Sequence, residues 1–149
     1  MGPRVVLVGL GAIGAGYASR LTDAGLDLRV LVDPVRAQRY AGRPTVVNGT
    51  PYDFRLSAGD DGAADLAIIA VKRAALPEAV ELLRPCVTAN TVVLSLLNGI
   101  DSEEVLAAAF PGATVLLAVS VGIDAVREGR DVHFSSLGRI LFGEPANPG

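Results

Sequence analysis

The sequence is poor in several residue types that carry chemistry. It contains no tryptophan, three tyrosines and four phenylalanines, one cysteine (Cys86), one histidine (His133) and one lysine (Lys72). So few aromatic residues argue against a surface on which nucleic-acid bases stack. A single cysteine excludes an internal disulfide framework and fits a reducing compartment. We interpret Cys86 as a small buried hydrophobic residue and His133 as structural, and no metal site is predicted from the residue spacing.

Charge is also scarce. Charged residues make up 19% of the 149, and 13 basic against 16 acidic residues give a net charge of −3. Without a basic excess, the chain has no global field that attracts nucleic acid or an anionic membrane. The hydrophobic share of 50% excludes intrinsic disorder, and the length is that of one ordinary domain.

Two apolar segments imitate signals for export or membrane insertion. Residues 5–18 follow Arg4 as the apolar core of a secretory signal would, but their glycine spacing has a better explanation given below. Residues 105–123 carry no charge and are long enough to span a bilayer. Pro111-Gly112 divides them into a helix-like and a strand-like half, so we expect no membrane span and a cytoplasmic protein.

Apolar runs and helical stripes alternate along most of the chain, with short loops between them. The predicted strands are residues 4–8, 28–32, 65–71, 91–96 and 114–119, and the predicted helices are residues 12–24, 35–40, 76–83 and 102–110. Such alternation indicates a parallel sheet with helical crossovers. A small hairpin is predicted at Asn48-Gly49, within residues 45–56.

The end of the chain has a different pattern. Residues 126–133 and 139–142 are predicted to be two short strands joined by residues 135–138. The sequence therefore predicts a doubly wound, Rossmann-type α/β fold with a mostly parallel sheet and a small antiparallel strand pair near the C-terminus. We expect one dinucleotide-binding domain over residues 1–143, followed by a linker or frayed end over 144–149.

A glycine-rich turn lies between the first predicted strand and the first predicted helix. The turn has the pattern G-x-G-x-x-G, formed by Gly9, Leu10, Gly11, Ala12, Ile13 and Gly14. In this context the first glycine permits a tight turn, the second lets the backbone approach a diphosphate, and the third lets helix and strand pack closely. The helix N-terminus supplies free N–H groups to the phosphates. The pattern therefore predicts a dinucleotide site.

Asp33 ends the second predicted strand, where an acidic residue accepts hydrogen bonds from the adenosine ribose. A carboxylate there repels a 2′-phosphate and favours NAD over NADP. Arg36 and Arg39 favour NADP instead, because either guanidinium could neutralise an added phosphate. The choice between NAD and NADP stays open from these residues, with Asp33 favouring NAD.

Polar residues directly follow two neighbouring strands of the predicted sheet. Lys72 comes after residues 65–71, and Asn98 follows residues 91–97. The carboxyl ends of parallel strands meet at the edge where open α/β sheets bind ligands. Lys72 could pair with a cofactor phosphate or a substrate carboxylate, and Asn98 could hydrogen-bond a ribose or a carboxamide.

Taken together, these motifs resemble the N-terminal half of the ketopantoate reductase (2-dehydropantoate 2-reductase) family. The resemblance is carried by Gly9–Gly14, by Lys72 in Ala70-Val71-Lys72, by Asn98 in Leu96-Leu97-Asn98-Gly99, and by residues 122–143. It implies that Lys72 and Asn98 line the nicotinamide end of the cofactor site, with the backbone around Ala125 nearby. It also implies reduction of the small 2-keto acid ketopantoate by NADPH.

In that family an all-helical C-terminal domain supplies the general-acid lysine and most substrate contacts, and this chain stops before it. We therefore expect no catalytic residue in the chain, which should bind a dinucleotide and turn over ketopantoate negligibly. Asp33 also departs from the basic or neutral residue usual in the family. A non-catalytic dinucleotide-sensing domain is the alternative function. An apolar face over residues 115–123 predicts weak self-association.

Overall fold

The computed structural model describes residues 2–97 and 101–144, and the larger of the two sheets in this part of the chain has seven strands. They are β1 (Arg4–Val8), β2 (Asp27–Leu31), β5 (Leu56–Ser57), β6 (Leu66–Ile69), β7 (Val92–Ser95), β8 (Thr114–Ile123) and β11 (Leu137–Gly143). Their order across the sheet is β11-β8-β7-β6-β1-β2-β5. Neighbouring strands are parallel except β11, which runs antiparallel to β8.

Both faces of this sheet are covered, which explains the continuous apolar runs in its central strands. The helices are α1 (Ala12–Asp23), α2 (Pro34–Tyr40), α3 (Leu76–Leu83) and α4 (Asp101–Ala109). In β1, Val5 and Leu7 belong to the core on the α1 side, whereas Val6 and Val8 belong to the core formed with α3 and α4. This layering confirms the predicted doubly wound α/β fold.

The second sheet has four strands and lies on the α1 side of the molecule. They are β3 (Thr45–Val47), β4 (Thr50–Tyr52), β9 (Val126–Glu128) and β10 (Asp131–His133), in the order β4-β3-β10-β9. The predicted hairpin at Asn48-Gly49 is confirmed as β3–β4, with positive φ at both turn residues. Val47 and Val132 are buried in the same core as the α1 residues Ala15 and Ala18.

The prediction for the strands near the C-terminus was wrong in its pairing. Residues 126–133 are two strands, not one, because the chain reverses at Gly129, where φ is +60°. The last strand, β11, does not pair with them but with β8 in the larger sheet. That pairing extends β8 to Ile123, four residues beyond the predicted end at 119. The two-residue strand β5 was not predicted.

The extended β8–β11 pair leaves apolar side chains exposed on one face. Leu117, Val119 and Val121 alternate along β8, and Leu141 lies opposite Val119 on β11. Val115, at the start of the predicted apolar face, is buried against α4. The exposed apolar face therefore covers residues 117–121 and part of β11, and self-association through it stays a prediction.

Residues 105–123 are divided as predicted, since α4 ends at Ala109, β8 begins at Thr114 and Pro111-Gly112 lies in the turn between them. None of the helices within residues 2–97 and 101–144 combines the length and the apolar character that crossing a membrane requires. Of the predicted linker 144–149, only Glu144 is among the described residues.

Candidate functional site

The glycine-rich turn runs along the carboxyl end of the parallel sheet, between β1 and α1. Gly9 has φ of +105°, and a Cβ added there would lie 2.4 Å from the carbonyl oxygen of Ala70, the residue that follows β6. Only glycine fits this position, both in backbone conformation and in space. Gly9 therefore lets the turn pass directly over the neighbouring strand.

Gly14 and Gly11 have opposite surroundings. A Cβ at Gly14 would lie 1.8 Å from the carbonyl oxygen of Gly9, so the first turn of α1 rests on the glycine loop. A Cβ at Gly11 would meet nothing within 4 Å, although its φ of −71° suits any residue. The missing side chain at Gly11 is thus not required by the fold, and it leaves open space in front of the helix.

The first turn of α1 offers backbone N–H groups to that open space. The first helical hydrogen bond runs from the Ala15 N–H to the Gly11 carbonyl, at 2.9 Å. The N–H groups of Ala12, Ile13 and Gly14 precede it and have no partner within the helix. The first turn also contains no acidic side chain. A helix N-terminus of this kind binds anions, above all phosphates.

A cleft of about 340 Å³ opens where β1, β2 and β6 end. The residues that line it are Val8, Gly9, Leu10, Gly11, Leu31, Val32, Arg36, Tyr40, Ala70, Val71, Lys72, Ala75, Leu82 and Arg127. The cleft therefore brings together the glycine turn and Lys72, as predicted from the sequence. Its walls combine apolar side chains with three cations, which suits a ligand that has both a flat ring and phosphates.

Lys72 lies three residues beyond the end of β6 and directly precedes a 3₁₀ turn over Arg73–Ala75. Its side chain is exposed and lines the cleft beside Val71. In the described part of the chain, no acidic side chain lies within ion-pair distance of Lys72. Its charge is therefore available to an anionic ligand.

Asp33 follows β2 but caps a helix rather than lining the cleft. One carboxylate oxygen accepts a hydrogen bond from the backbone N–H of Arg36 at 2.8 Å, and the other accepts from the Arg36 guanidinium at 3.1 Å. The backbone hydrogen bond holds the pKa of the Asp33 carboxyl below its usual value. Arg36 itself reaches the cleft and also pairs with Glu78 at 3.5 Å.

Five of the described site residues predicted from the sequence do not line the cleft: Ala12, Ile13, Gly14, Asp33 and Ala125. Asn98 lies outside the described residues. Ala125 lies between β8 and β9 and does not line the cleft. Its neighbour Asp124 accepts hydrogen bonds from the backbone N–H groups of Ser135 and Ser136, at 2.9 and 2.8 Å, so the segment is fixed to the turn that precedes β11.

The cleft contains two side chains that sequence reasoning missed, Tyr40 and Arg127. Tyr40 is the last residue of α2, and Arg127 comes from β9 in the second sheet. Nothing local in the sequence marks Arg127, because its place depends on how the second sheet packs against α1. The Nε–H of Arg127 donates a hydrogen bond to the carbonyl of Gly129 at 2.8 Å.

The remaining chemistry-bearing residues take no part in the cleft. Cys86 is 1% exposed, and burial raises the pKa of its thiol, which confirms its interpretation as a buried hydrophobic residue. His133 is exposed on β10. Among the described residues there is no group of three His, Cys, Asp or Glu side chains that could hold a metal ion.

Comparison with known proteins decides the family. Residues 5–147 match the family described as Ketopantoate reductase PanE/ApbA. The chain belongs to this family. Its glycine turn, the open space at Gly11 and Lys72 fit the dinucleotide cofactor that oxidoreductases of this kind use.

Three individual proteins illustrate the similarity. The Bacillus subtilis (strain 168) protein named uncharacterized oxidoreductase YkpB is 29% identical over 147 residues, which are 95% of this chain and 48% of that protein. The crystal structure of 2-dehydropantoate 2-reductase from Geobacter metallireducens GS-15 has a TM-score of 0.78 at 28% identity, over 95% of this chain and 49% of that one. D-mandelate dehydrogenase, solved with NADH and anilino(oxo)acetate, shares the fold, with a TM-score of 0.82 at 19% identity over 97% and 49% of the two chains.

The chain spans about half the length of the curated relatives that it matches, 48% and 47% in two cases. This chain therefore matches the dinucleotide-binding half of the ketopantoate reductase family, in agreement with the resemblance carried by the motifs.

Proposed function

We propose that this chain is the NAD(P)-binding domain of a 2-keto-acid reductase related to ketopantoate reductase. The observation that carries the proposal is the glycine turn. Because Gly11 has no side chain, there is open space between the N-terminus of α1 and Lys72. The substrate class is supported by family membership and by the Geobacter relative, which is named 2-dehydropantoate 2-reductase.

In this proposal the chain's own groups bind and orient the cofactor. The N–H groups of Ala12, Ile13 and Gly14 donate to the diphosphate, and the partial positive charge of the helix N-terminus adds to their effect. Lys72 contributes a full positive charge at the edge of β6. When bound, the reduced nicotinamide supplies a hydride to the carbonyl carbon of the keto acid.

Reduction of a ketone also needs a proton donor for the alkoxide that forms. Lys72 is the only lysine of the chain and belongs, in this proposal, to the cofactor site rather than to the substrate. The proton donor and most of the substrate contacts are therefore expected from the part of the relatives that this chain does not span.

The first prediction separates cofactor binding from turnover. The purified 149-residue chain should bind NADH or NADPH in a fluorescence titration, and it should oxidise neither cofactor measurably when ketopantoate is added. Turnover that disappears in Lys72→Ala would show that the chain carries its own proton donor. A chain that binds neither cofactor would refute the proposed function altogether.

The charges around Arg36 favour NADH as the preferred cofactor. Arg36 lies between the carboxylates of Asp33 and Glu78, at 3.1 and 3.5 Å, so this cluster of three side chains has a net charge of −1. A 2′-phosphate would have to displace carboxylates that already pair with Arg36. Each carboxylate oxygen of Asp33 accepts one hydrogen bond from Arg36 and keeps a lone pair that can accept a second one from a ribose hydroxyl.

The second prediction tests this preference. Asp33→Asn should raise the affinity for NADPH relative to NADH by about tenfold, since it removes one charge that repels the phosphate and one strong ribose acceptor. Asparagine still caps α2, so the fold should be retained. The measurement is the ratio of the two dissociation constants in wild type and variant.

Asp60→Asn is the matched control, because Asp60 is exposed, does not line the cleft and, unlike Asp33, is not a partner of Arg36. It should leave the ratio unchanged. A wild-type chain that binds NADPH more tightly than NADH, or an Asp33→Asn variant with the wild-type ratio, would contradict the assignment of cofactor preference to Asp33.

A further inference from the structure

Arg127 reaches the cleft from a different sheet and from the far end of the sequence. In the β9–β10 hairpin it lies directly opposite Val132, which is fully buried in the core on the α1 side. Directly paired residues of antiparallel strands point to the same face. The side chain of Arg127 therefore lies on the inner face of β9, whereas its neighbours Val126 and Glu128 are exposed on the outer face.

The second sheet is attached so that this inner face meets the beginning of the dinucleotide fold. Strands β9, β10 and β3 all pack against α1. The backbone N–H of Val46 in β3 donates to the carbonyl of Arg130 at 2.9 Å, which joins the β9–β10 hairpin to the β3–β4 hairpin. Arg127 is thus held beside α1 by backbone pairing rather than by a flexible loop.

The charge of Arg127 has no acidic partner among the described residues. Of the three cations that line the cleft, Arg36 is paired with two carboxylates. Arg127 instead donates its Nε–H to the carbonyl of Gly129, a neutral acceptor that orients the guanidinium and leaves both terminal nitrogens free of that contact. Oriented in this way, the planar group can donate two parallel hydrogen bonds to an anion.

We infer that Arg127 is a binding residue for the diphosphate of the dinucleotide, and that the second sheet serves to present it. The inference rests on the proposed function and extends it to a residue outside the Rossmann motifs. The diphosphate fits better than a substrate carboxylate, because Arg127 lines the same cleft as Gly9, Leu10 and Gly11. Lys72 and Arg127 would then neutralise the two negative charges of the diphosphate.

The test compares ligands that contain the diphosphate with one that lacks it. Isothermal titration of Arg127→Gln should show dissociation constants for NADH and for ADP-ribose that are about tenfold higher than in wild type, as expected for the loss of charge-assisted hydrogen bonds. The affinity for adenosine should not change. Arg127→Lys should recover part of the lost affinity, because lysine restores the positive charge but cannot donate the two parallel hydrogen bonds of a guanidinium.

Arg130→Gln is the matched control, since Arg130 lies in the turn of the same hairpin, is exposed and does not line the cleft. It should bind all three ligands like wild type. The salt dependence gives a second measurement, because a variant that makes one ionic contact fewer with phosphate should lose less affinity as ionic strength rises.

The outcomes separate the two proposals. A wild-type chain that binds neither NADH nor ADP-ribose overturns the proposed function and this inference with it. Binding of both ligands by wild type and by Arg127→Gln with equal affinity overturns the inference alone. An equal loss of adenosine affinity in Arg127→Gln would assign the effect to the shape of the cleft and would likewise overturn a diphosphate contact.

Discussion

Gly11→Leu should weaken NADH binding about 100-fold or more, since it would block at least two charge-assisted hydrogen bonds from backbone N–H groups to the diphosphate. The leucine side chain would fill the open space in front of α1, where a Cβ meets no atom within 4 Å. Stability should fall by about 1 kcal/mol, the usual cost of replacing a favoured N-cap residue, and no further, because the backbone angles of Gly11 suit any residue.

The measurement combines an NADH titration with urea unfolding of the same samples. Gly2→Leu provides the control, because Gly2 is exposed, has equally open surroundings and does not line the cleft. It should bind NADH like wild type. If Gly11→Leu also binds NADH like wild type, the space at Gly11 is not where the diphosphate lies, and the site proposed for the whole cleft is wrong.

The central sheet and its helices could be predicted because their signals are local. Val5 to Val8 form an uninterrupted apolar run that ends at Gly9, and the structure buries them in cores on both faces of β1. Leu76–Leu83 begins with a proline in its first turn and buries Leu76, Ala79, Val80 and Leu83 on one side, so its bounds were predicted correctly. In such segments, neighbouring residues determine where the strand or helix begins and ends and which of its faces is buried.

The last third of the chain depended instead on pairing between distant residues. Residues 126–133 are predicted as one strand from the sequence, but the positive φ at Gly129 and the parallel pairing of β10 with β3 divide them. The strand β11 is set by its register along β8, with Ile140 opposite Ser120. No local pattern distinguishes these partners from the pair that was predicted.

The candidate site shows the same division. The glycine turn and Lys72 were predicted from strand ends, and the structure brings them into one cleft. For Asp33 the sequence predicted a ribose acceptor, but its role as the cap of α2 and its ion pair with Arg36 required coordinates. Arg127 could not be predicted, because it reaches the cleft only through the packing of the second sheet against α1.

Gly14→Ala should destabilise the chain by about 3 kcal/mol, near the upper end of what overpacking a well-packed core costs. Helix propensity alone predicts the opposite sign, since alanine is favoured over glycine inside a helix by about 1 kcal/mol. Steric repulsion should outweigh helix propensity here, because the new Cβ would lie 1.8 Å from the Gly9 carbonyl oxygen and 3.3 Å from the Cβ of Ala70. Both neighbours are held by the sheet, so α1 itself would have to move away.

Urea unfolding of Gly14→Ala and Gly11→Ala distinguishes the two explanations, because the substitutions are chemically identical and lie three residues apart. Gly11→Ala should unfold within about 1 kcal/mol of wild type, as a Cβ there has free space. A Gly14→Ala chain that is as stable as wild type would mean that helix and loop are not in close contact. In that case the third glycine of the turn would have no structural role, and the position of the α1 N–H groups relative to the cleft would not be fixed by it.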